Sequence, residues 1–271
     1  MARTSTKTSA EIEVISLRME EVSFCLLGTT PFYANRVAEK AKRELLMPRG
    51  RLTTAQKANN LKHDPVAEFR SSPYLRVGLG PTRIMMYSTA IKGAIAQAAI
   101  DMPTAVAKTQ INRLVSINEE FIPIWGIPRL NMAIVRSADM ARTPDVRTRA
   151  KIDKWASRIT LRYVVPMLSS RAVSTLLAAA GLIIGIGDFR QEKGKGHFGL
   201  FEIVPEDDPE YRRVIAGGGM DVQDEALAHP VCSDSETEDL LSWYTEELAK
   251  RTNTPANTDE PEPEEEPVAA E

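Results

Sequence analysis

The chain has 271 residues, of which 43% are hydrophobic and 26% charged, with a formal net charge of −3; these values describe a globular chain long enough to bury a real core. No run of about 18 or more uncharged apolar residues occurs, and the start Met1-Ala2-Arg3-Thr4 leads into Glu11 and Glu13 rather than an apolar stretch. Neither a membrane span nor a signal peptide is expected, and the expected location is the cytoplasm. Cys25 in an apolar run and Cys232 among polar residues offer no disulfide framework and no metal quartet, so no metal and no cofactor are expected.

The near-neutral total hides a division. Residues 1–204 hold 30 basic and 17 acidic side chains, whereas residues 205–271 hold 20 acidic and 4 basic. A basic body joined to an acidic tail points to a polyanionic partner for the body, nucleic acid being the commonest. Solubility alone is the competing reading of the same asymmetry.

In chain order, Glu21 to Thr29 reads as a buried strand, with Val22, Phe24 and Leu26 alternating and Gly28-Thr29-Thr30-Pro31 closing it. Asn35 to Leu46 reads as a short helix carrying Arg36, Lys40, Lys42 and Arg43. From about 47 to 80 the apolar spacing is lost and a basic excursion is expected, with Arg49, Arg51, Lys57, Lys62, His63 and Arg70. Ser88 to Ile100 is a helix with Ile91, Ile95, Ala98 and Ala99 on one face, capped by Ser88 or Thr89.

Short strands are expected at Leu114–Ile117, Phe121–Trp125 and Arg129–Val135, with Pro123 and Pro128 at edges or turns. Residues 136–154 read as a second basic excursion, before a strand Ala156 to Val165. That strand alternates Ile159, Leu161, Tyr163 and Val165 with Arg158, Thr160 and Arg162, so one face is apolar and the other can meet water or phosphate. Ser169 to Leu182 is a helix capped by Ser169 or Ser170, and Leu200 to Val204 is the last strand. The acidic tail reads as a turn-rich stretch, Asp207 to Gly219, one short helix over about 235–251, and a disordered Pro/Glu-rich end from about 255.

Between the second helix and the last strand lie Gly185, Gly187, Gly194, Gly196 and Gly199, interleaved with Arg190, Lys193 and Lys195. Glycines let backbone approach a partner closely while cations face it, which suits phosphate. The segment runs from helix to strand and lacks the Gly-Lys-Ser/Thr ending, so it is neither a P-loop nor a dinucleotide fingerprint. A flexible connector is the plain alternative. The order strand, helix, strands, strand, helix, strand fits an α+β fold of the ferredoxin-like, RNA-recognition-motif-like βαββαβ type: an antiparallel sheet with two helices, two basic insertions and an acidic tail.

Three features, in order, resemble the RAMP superfamily, which includes the backbone and processing subunits of CRISPR effector complexes. The first strand ends in Leu26-Leu27-Gly28-Thr29-Thr30-Pro31, like the superfamily's strand ending in Thr-Pro. Ser88-Thr89-Ala90-Ile91-Lys92-Gly93 looks like its Ser-x-x-x-Lys-Gly helix start, and Gly185 to Gly199 occupies the place of its glycine-rich loop. The resemblance covers roughly residues 20–204 and implies binding of single-stranded nucleic acid, usually RNA, by repeated protomers along a strand or by subunits of an effector complex. The basic excursions would correspond to variable thumb and finger insertions.

Candidate contacts are Lys92, then Arg136, Arg142, Arg147 and Arg149 from the second excursion, and Arg158 and Arg162 from the following strand. The glycine-rich segment adds Phe189, Arg190, Lys193, Gly194, Lys195 and Gly196. Cations would follow the strand's phosphates while aromatics, drawn from Tyr33, Phe69, Tyr74, Phe189 and Phe198, stack on bases.

The segment Gly-Ile-Gly-Asp-Phe-Arg-Gln-Glu-Lys-Gly is also similar to one in uncharacterised phage and prophage proteins, which keeps single-stranded DNA binding or annealing in recombination as an alternative. A structural or assembly protein with an acidic partner is a third reading. Chemistry is not indicated: Gly-x-Ser-x-Gly, His-Glu-x-x-His and Cys/His ligand spacings are absent from the sequence. Processing members of the superfamily cleave RNA, often with a histidine, so His197 is the one weak catalytic candidate; Asp64, Asp139 and Asp145 are loop aspartates in turn-like contexts.

Overall fold

The computed structural model describes residues 15–34, 36–37, 42, 46, 63–102, 107–136, 144–193 and 196–253. Strand β1 (Arg18–Gly28) is followed by β2 (Phe32–Tyr33), helix α1 (Pro65–Ser71), β3 (Tyr74–Leu75), β4 (Ile84–Tyr87) and α2 (Ser88–Asp101). Next come α3 (Lys108–Leu114), β5 (Val115–Ile117), β6 (Phe121–Pro123), β7 (Pro128–Arg136), β8 (Pro144–Ile152) and β9 (Ala156–Val165). Helix α4 (Ser170–Ala179) continues into a π turn at Ala180–Ile184, and β10 (Phe201–Val204) precedes α5 (Pro209–Gly217), α6 (Met220–Ala228) and α7 (Ser235–Asn253). The chain is thus a mixed α/β protein built on antiparallel sheets.

The main sheet has four antiparallel strands in the order β10-β1-β9-β5. In the chain, α2 lies between β1 and β5, and α4 lies between β9 and β10. Both helices and the inward residues of the sheet, Phe24, Leu26, Ile159, Leu161 and Tyr163, share one core. Four alanines of α2, Ala94, Ala96, Ala98 and Ala99, are buried, and their small side chains let neighbouring helices approach closely. A three-stranded sheet β2-β8-β7 and a second, β3-β4-β6, flank the main one.

Four consecutive residues of β1, Phe24 to Leu27, are buried because the strand is covered on both faces. Phe24 and Leu26 enter the main core, while Cys25 and Leu27 meet Ala156, Tyr211 and Val214 on the other side. Helix α5 supplies that second cover. It starts where Asp208 accepts from the Glu210 and Tyr211 N–H groups with Pro209 at the first helical position, which satisfies donors that a helix start leaves free.

Several expectations change here. The second basic excursion is a regular hairpin, β7 pairing β8 from Pro128↔Ile152 to Arg136↔Pro144. Its period-two pattern sets Val146, Thr148, Ala150 and Ile152 against Asp145, Arg147, Arg149 and Lys151, and the high charge masked it. The expected Ser88 or Thr89 cap does not form: Tyr87 holds the cap position without a side-chain hydrogen bond. The turn-rich stretch after β10 is largely helix α5, and a further helix, α6, follows it.

Helices α5 to α7 pack against the strands rather than trailing as a tail. The strongest tie is Gln223, which is fully buried. Its Oε1 accepts from the backbone N–H groups of Arg83 and Ile84, both at 2.8 Å. Its Nε2 donates to the carbonyls of Ile124, Gly126 and Gly218 at 2.8, 2.9 and 3.0 Å. The helix expected at Asn35 to Leu46 and the Pro/Glu-rich end from about 255 lie outside the described residues, apart from isolated positions in the former. Among the described residues, no helix is long and apolar enough to cross a membrane, and no group of three His, Cys, Asp or Glu is placed to hold a metal ion.

Candidate nucleic-acid interface

The glycine-rich loop leaves the π turn at Gly185, folds over the β1–β2 connection and returns to β10. Ile186 N–H donates to the Gly199 carbonyl, Gly199 N–H to Pro31 and Asp188 N–H to Tyr33, at 2.9, 2.8 and 3.1 Å. The loop's glycines therefore serve its own crossing of backbone. Gly187 has φ of +84°, and a Cβ there would stand 2.6 Å from the Tyr33 carbonyl and 2.8 Å from the Phe32 ring, a site that only glycine fits without strain. At the other end of the connection, the Trp155 indole lies over Gly28, where a Cβ would be 2.1 Å from its Nε1, and donates to the Thr30 carbonyl at 2.8 Å.

This crossing brings Arg149 of β8 against the loop. Arg149 is 8% exposed; its Nη2 meets Asp188 Oδ2 at 2.9 Å, and its guanidinium carbon lies 4.8 Å from the centre of the Phe189 ring. Burial pulls the guanidinium below the ordinary arginine range and Arg147 adds to that effect, while Asp188 opposes it. Nη1 of Arg149 and Nε of Arg190 are buried without a hydrogen-bond partner among the described residues. Phe189 itself has φ of +52°, an uncommon conformation for a bulky residue.

Around this cation lie further rings. Tyr33 packs against Phe198 at 4.7 Å and Phe189 at 6.2 Å, and burial, with Asp153 and Asp234 adding to it, pushes its hydroxyl pKa up to about 12. The exposed His197 ring lies on Phe198 at 4.4 Å. Arg190 bridges to Phe198 through backbone and pairs with Glu192 at 3.1 Å. Partly exposed aromatic faces beside two arginines can stack on bases and neutralise phosphate.

The structure places the expected contacts in separate groups. Arg149, Phe189, Arg190 and the Gly196 backbone meet at the loop, with the exposed Arg147 nearby on β8. Arg158 and Arg162 instead project from the face of the main sheet opposite α2 and α4, paired with Glu206 and Glu21, each at 3.0 Å. Lys92 stands, half-exposed, in the second turn of α2. Gly194, Lys195 and Arg142 lie outside the described residues, as do the side chains of Arg136 and Lys193.

Of the proposed stacking residues, Phe69 is fully buried and Tyr33 nearly so, which removes both as open platforms. Tyr74 belongs to a cluster that sequence reasoning missed: Tyr87 stacks on Phe121 at 4.4 Å and 28°, Tyr74 meets both, and Arg36 lies over Tyr74 at 6.0 Å. The register Tyr87↔Phe121 brings that pair together, and nothing local in the sequence signals it.

The weak catalytic candidate His197 has no hydrogen-bond partner among the described residues; its ring is placed by its contact with Phe198 alone. His63 is held more firmly: its Nδ1 meets Glu68 Oε1 at 2.8 Å, its Nε2 meets Asp145 Oδ1 at 3.1 Å, and its carbonyl accepts from the Tyr244 hydroxyl at 2.8 Å. The cluster ties α1, β8 and α7 together. Asp64 caps α1 through the Ala67 N–H, and Asp139 lies outside the described residues.

No family model and no curated protein sequence matches the chain. Among solved structures it is similar to a chain in the cryo-EM structure of the Type III-B Cmr-beta bound to cognate target RNA, with 12% identity and a TM-score of 0.32 over 69% of this chain. The match covers 59% of that chain, so this protein spans about three fifths of its length.

Proposed function

We propose that the chain binds single-stranded nucleic acid, with RNA favoured over DNA, as a nonenzymatic RAMP-like subunit, and that the strand runs past the glycine-rich loop and the β7–β8 hairpin. The observation that carries the reading is the Arg149 guanidinium held against Phe189, with Arg190, His197 and Phe198 beside it. The buried Arg149 holds Phe189 in place, and the partly exposed rings of Phe189 and Phe198 beside Arg190 and the exposed Arg147 suit a base next to a phosphate. The four-stranded order β10-β1-β9-β5, with α2 and α4 in its two crossovers, supports assigning the unit to the ferredoxin-like βαββαβ type. The face opposite those helices carries Glu21, Ser23, Thr160 and paired arginines rather than rings, which favours the loop over the sheet face as the contact.

Fluorescence anisotropy of labelled single-stranded RNA, single-stranded DNA and duplex DNA, each at low and at moderate salt, tests the proposal. Two to four phosphate contacts predict a slope of log K against log salt of about −1.5 to −3 for single strands, with duplex bound more weakly. Absence of binding to either single strand at low salt overturns it. Tighter binding of DNA than RNA transfers the reading to the recombination alternative.

A further inference from the structure

We infer that Asp188 is a built-in stand-in for phosphate: its carboxylate holds the edge of the Arg149 guanidinium in the free protein and yields that place to a backbone phosphate of the bound strand. The inference rests on the nucleic-acid reading of the loop and adds a displacement step to it. Asp188 follows the Gly187 turn, and its N–H is tied to the Tyr33 carbonyl at 3.1 Å, which sets its side chain beside β8. Its Oδ1 accepts from the Phe189 N–H at 2.9 Å, and its Oδ2 meets Arg149 Nη2 at 2.9 Å. One carboxylate therefore serves two different donors. A guanidinium presents Nη1 and Nη2 side by side, an edge suited to two parallel bonds with a carboxylate or phosphate. Asp188 uses half of it. Nη1 is buried with no hydrogen-bond partner among the described residues, and a buried donor left unmade is costly.

A phosphodiester fits that edge better than the carboxylate does. Its two unesterified oxygens can take Nη1 and Nη2 together, and the Phe189 ring, 4.8 Å from the guanidinium carbon, can stay where it is because the phosphate needs only the edge. The exchange is open to water. The Asp188 side chain is 37% exposed, so it can rotate into solvent, whereas the buried Arg149 stays fixed. Charge favours the same direction. Arg147 lies two residues from Arg149 on the same side of β8 and is close enough for its charge to oppose that of Arg149. Arg190 is in turn balanced by Glu192 of the loop, at 3.1 Å. Asp188 thus neutralises a crowded basic site while no strand is present and makes binding an exchange of one anion for another. Arg149 then holds few counterions to release, so the salt dependence of binding is shallower than the number of cations implies.

Fluorescence anisotropy of a labelled single-stranded RNA with the full chain, over a range of salt, tests the displacement. Asp188→Asn keeps an acceptor for the Phe189 N–H and removes the charge. It should bind the strand roughly threefold to tenfold more tightly than wild type, the scale of one ion pair no longer displaced. Its slope of log K against log salt should be steeper by about 0.7, the share of one further phosphate contact. Asp188→Ser, which also retains an acceptor, should move both quantities the same way. Asp153→Asn removes an equal charge that acts on Tyr33 and pairs with Lys151, and should stay within about twofold of wild type. A purely structural role for Asp188 predicts the opposite sign, weaker binding with an unchanged slope.

Wild type that binds while Asp188→Asn binds no more tightly, or a gain matched by Asp153→Asn, overturns the displacement and leaves the reading of the loop standing. Loss of the far-UV circular dichroism of both Asp188 variants overturns it too, since a side chain the fold requires is not free to leave. No binding by wild type or by Asp188→Asn at low salt overturns the reading of the loop, and the displacement with it.

Discussion

Replacing Gln223 by leucine tests whether α5 to α7 are part of the folded body. The side chain is fully buried and makes five hydrogen bonds, all to backbone groups of the β4 start, the β6–β7 turn and the α5 C-terminus. Leucine conserves volume but leaves the Arg83 and Ile84 N–H groups without their acceptor. Each buried, unsatisfied donor costs about 1–3 kcal/mol, and the under-satisfied carbonyls of Ile124 and Gly126 add to this. The expected destabilisation is about 3–5 kcal/mol, large for a single substitution. With a urea m-value of about 3 kcal/mol/M, the midpoint should fall by about 1–1.7 M. Urea titration followed by far-UV circular dichroism reads this directly, with Val222→Ala as an exposed neighbour expected to stay within about 0.5 kcal/mol of wild type. A Gln223→Leu midpoint within about 0.2 M of wild type would refute the interlock and return residues 205–253 to the status of a tail.

Arg149→Lys keeps the charge but loses the planar fork against Phe189; it should weaken single-strand binding several-fold in anisotropy while lowering stability by less than Arg149→Ala does in the same urea titration. Gly187→Ala forces a Cβ onto the Tyr33 carbonyl at positive φ and should cost about 1–3 kcal/mol. By contrast, Gly93→Ala meets nothing within 4 Å and should raise helix stability by about 0.5–1 kcal/mol, both read as shifts in thermal midpoint. Asp234 caps α7 through the Thr237 N–H at 2.8 Å. The Ser233 hydroxyl first, then Thr237 and Asn131, hold its pKa down from the ordinary 3.8 to about 2. The carboxylate's contribution is present above about pH 4 and lost as pH falls through 2, so the stability gap between wild type and Asp234→Ala, about 1 kcal/mol near neutrality, should close between pH 4 and 2.

The segments legible in the sequence were those whose burial is one-sided. Strand β9 starts and ends where its alternation does, Ala156–Val165, and α2 differs from the expected span by a single residue at its end. Where two layers cover one element, periodicity fails: the four-residue buried run in β1 needs α5 to explain it. Strand β8 was obscured because charge is usually an outward signal, whereas Arg149 is turned inward and held by Asp188 and Phe189. The acidic, glycine-containing composition of residues 205–230 similarly concealed two helices, α5 and α6, because their attachment rests on Gln223 and a few apolar contacts that carry no local pattern, whereas α7 was expected over about 235–251. The glycine-rich loop was recognisable as special, but its glycines answer to Tyr33, Phe32 and Ile186 within the chain. The cations read as one group were divided by topology between the loop and the sheet face that α5 partly covers, a separation that only strand order reveals.

Photo-crosslinking a single-stranded RNA bearing 4-thiouridine to the full chain, followed by peptide mapping, locates the strand most directly. The proposed interface predicts crosslinks on Phe189, His197 or Phe198. Crosslinks confined to β9 around Arg158 and Arg162, or none above the background of a duplex control, would contradict it.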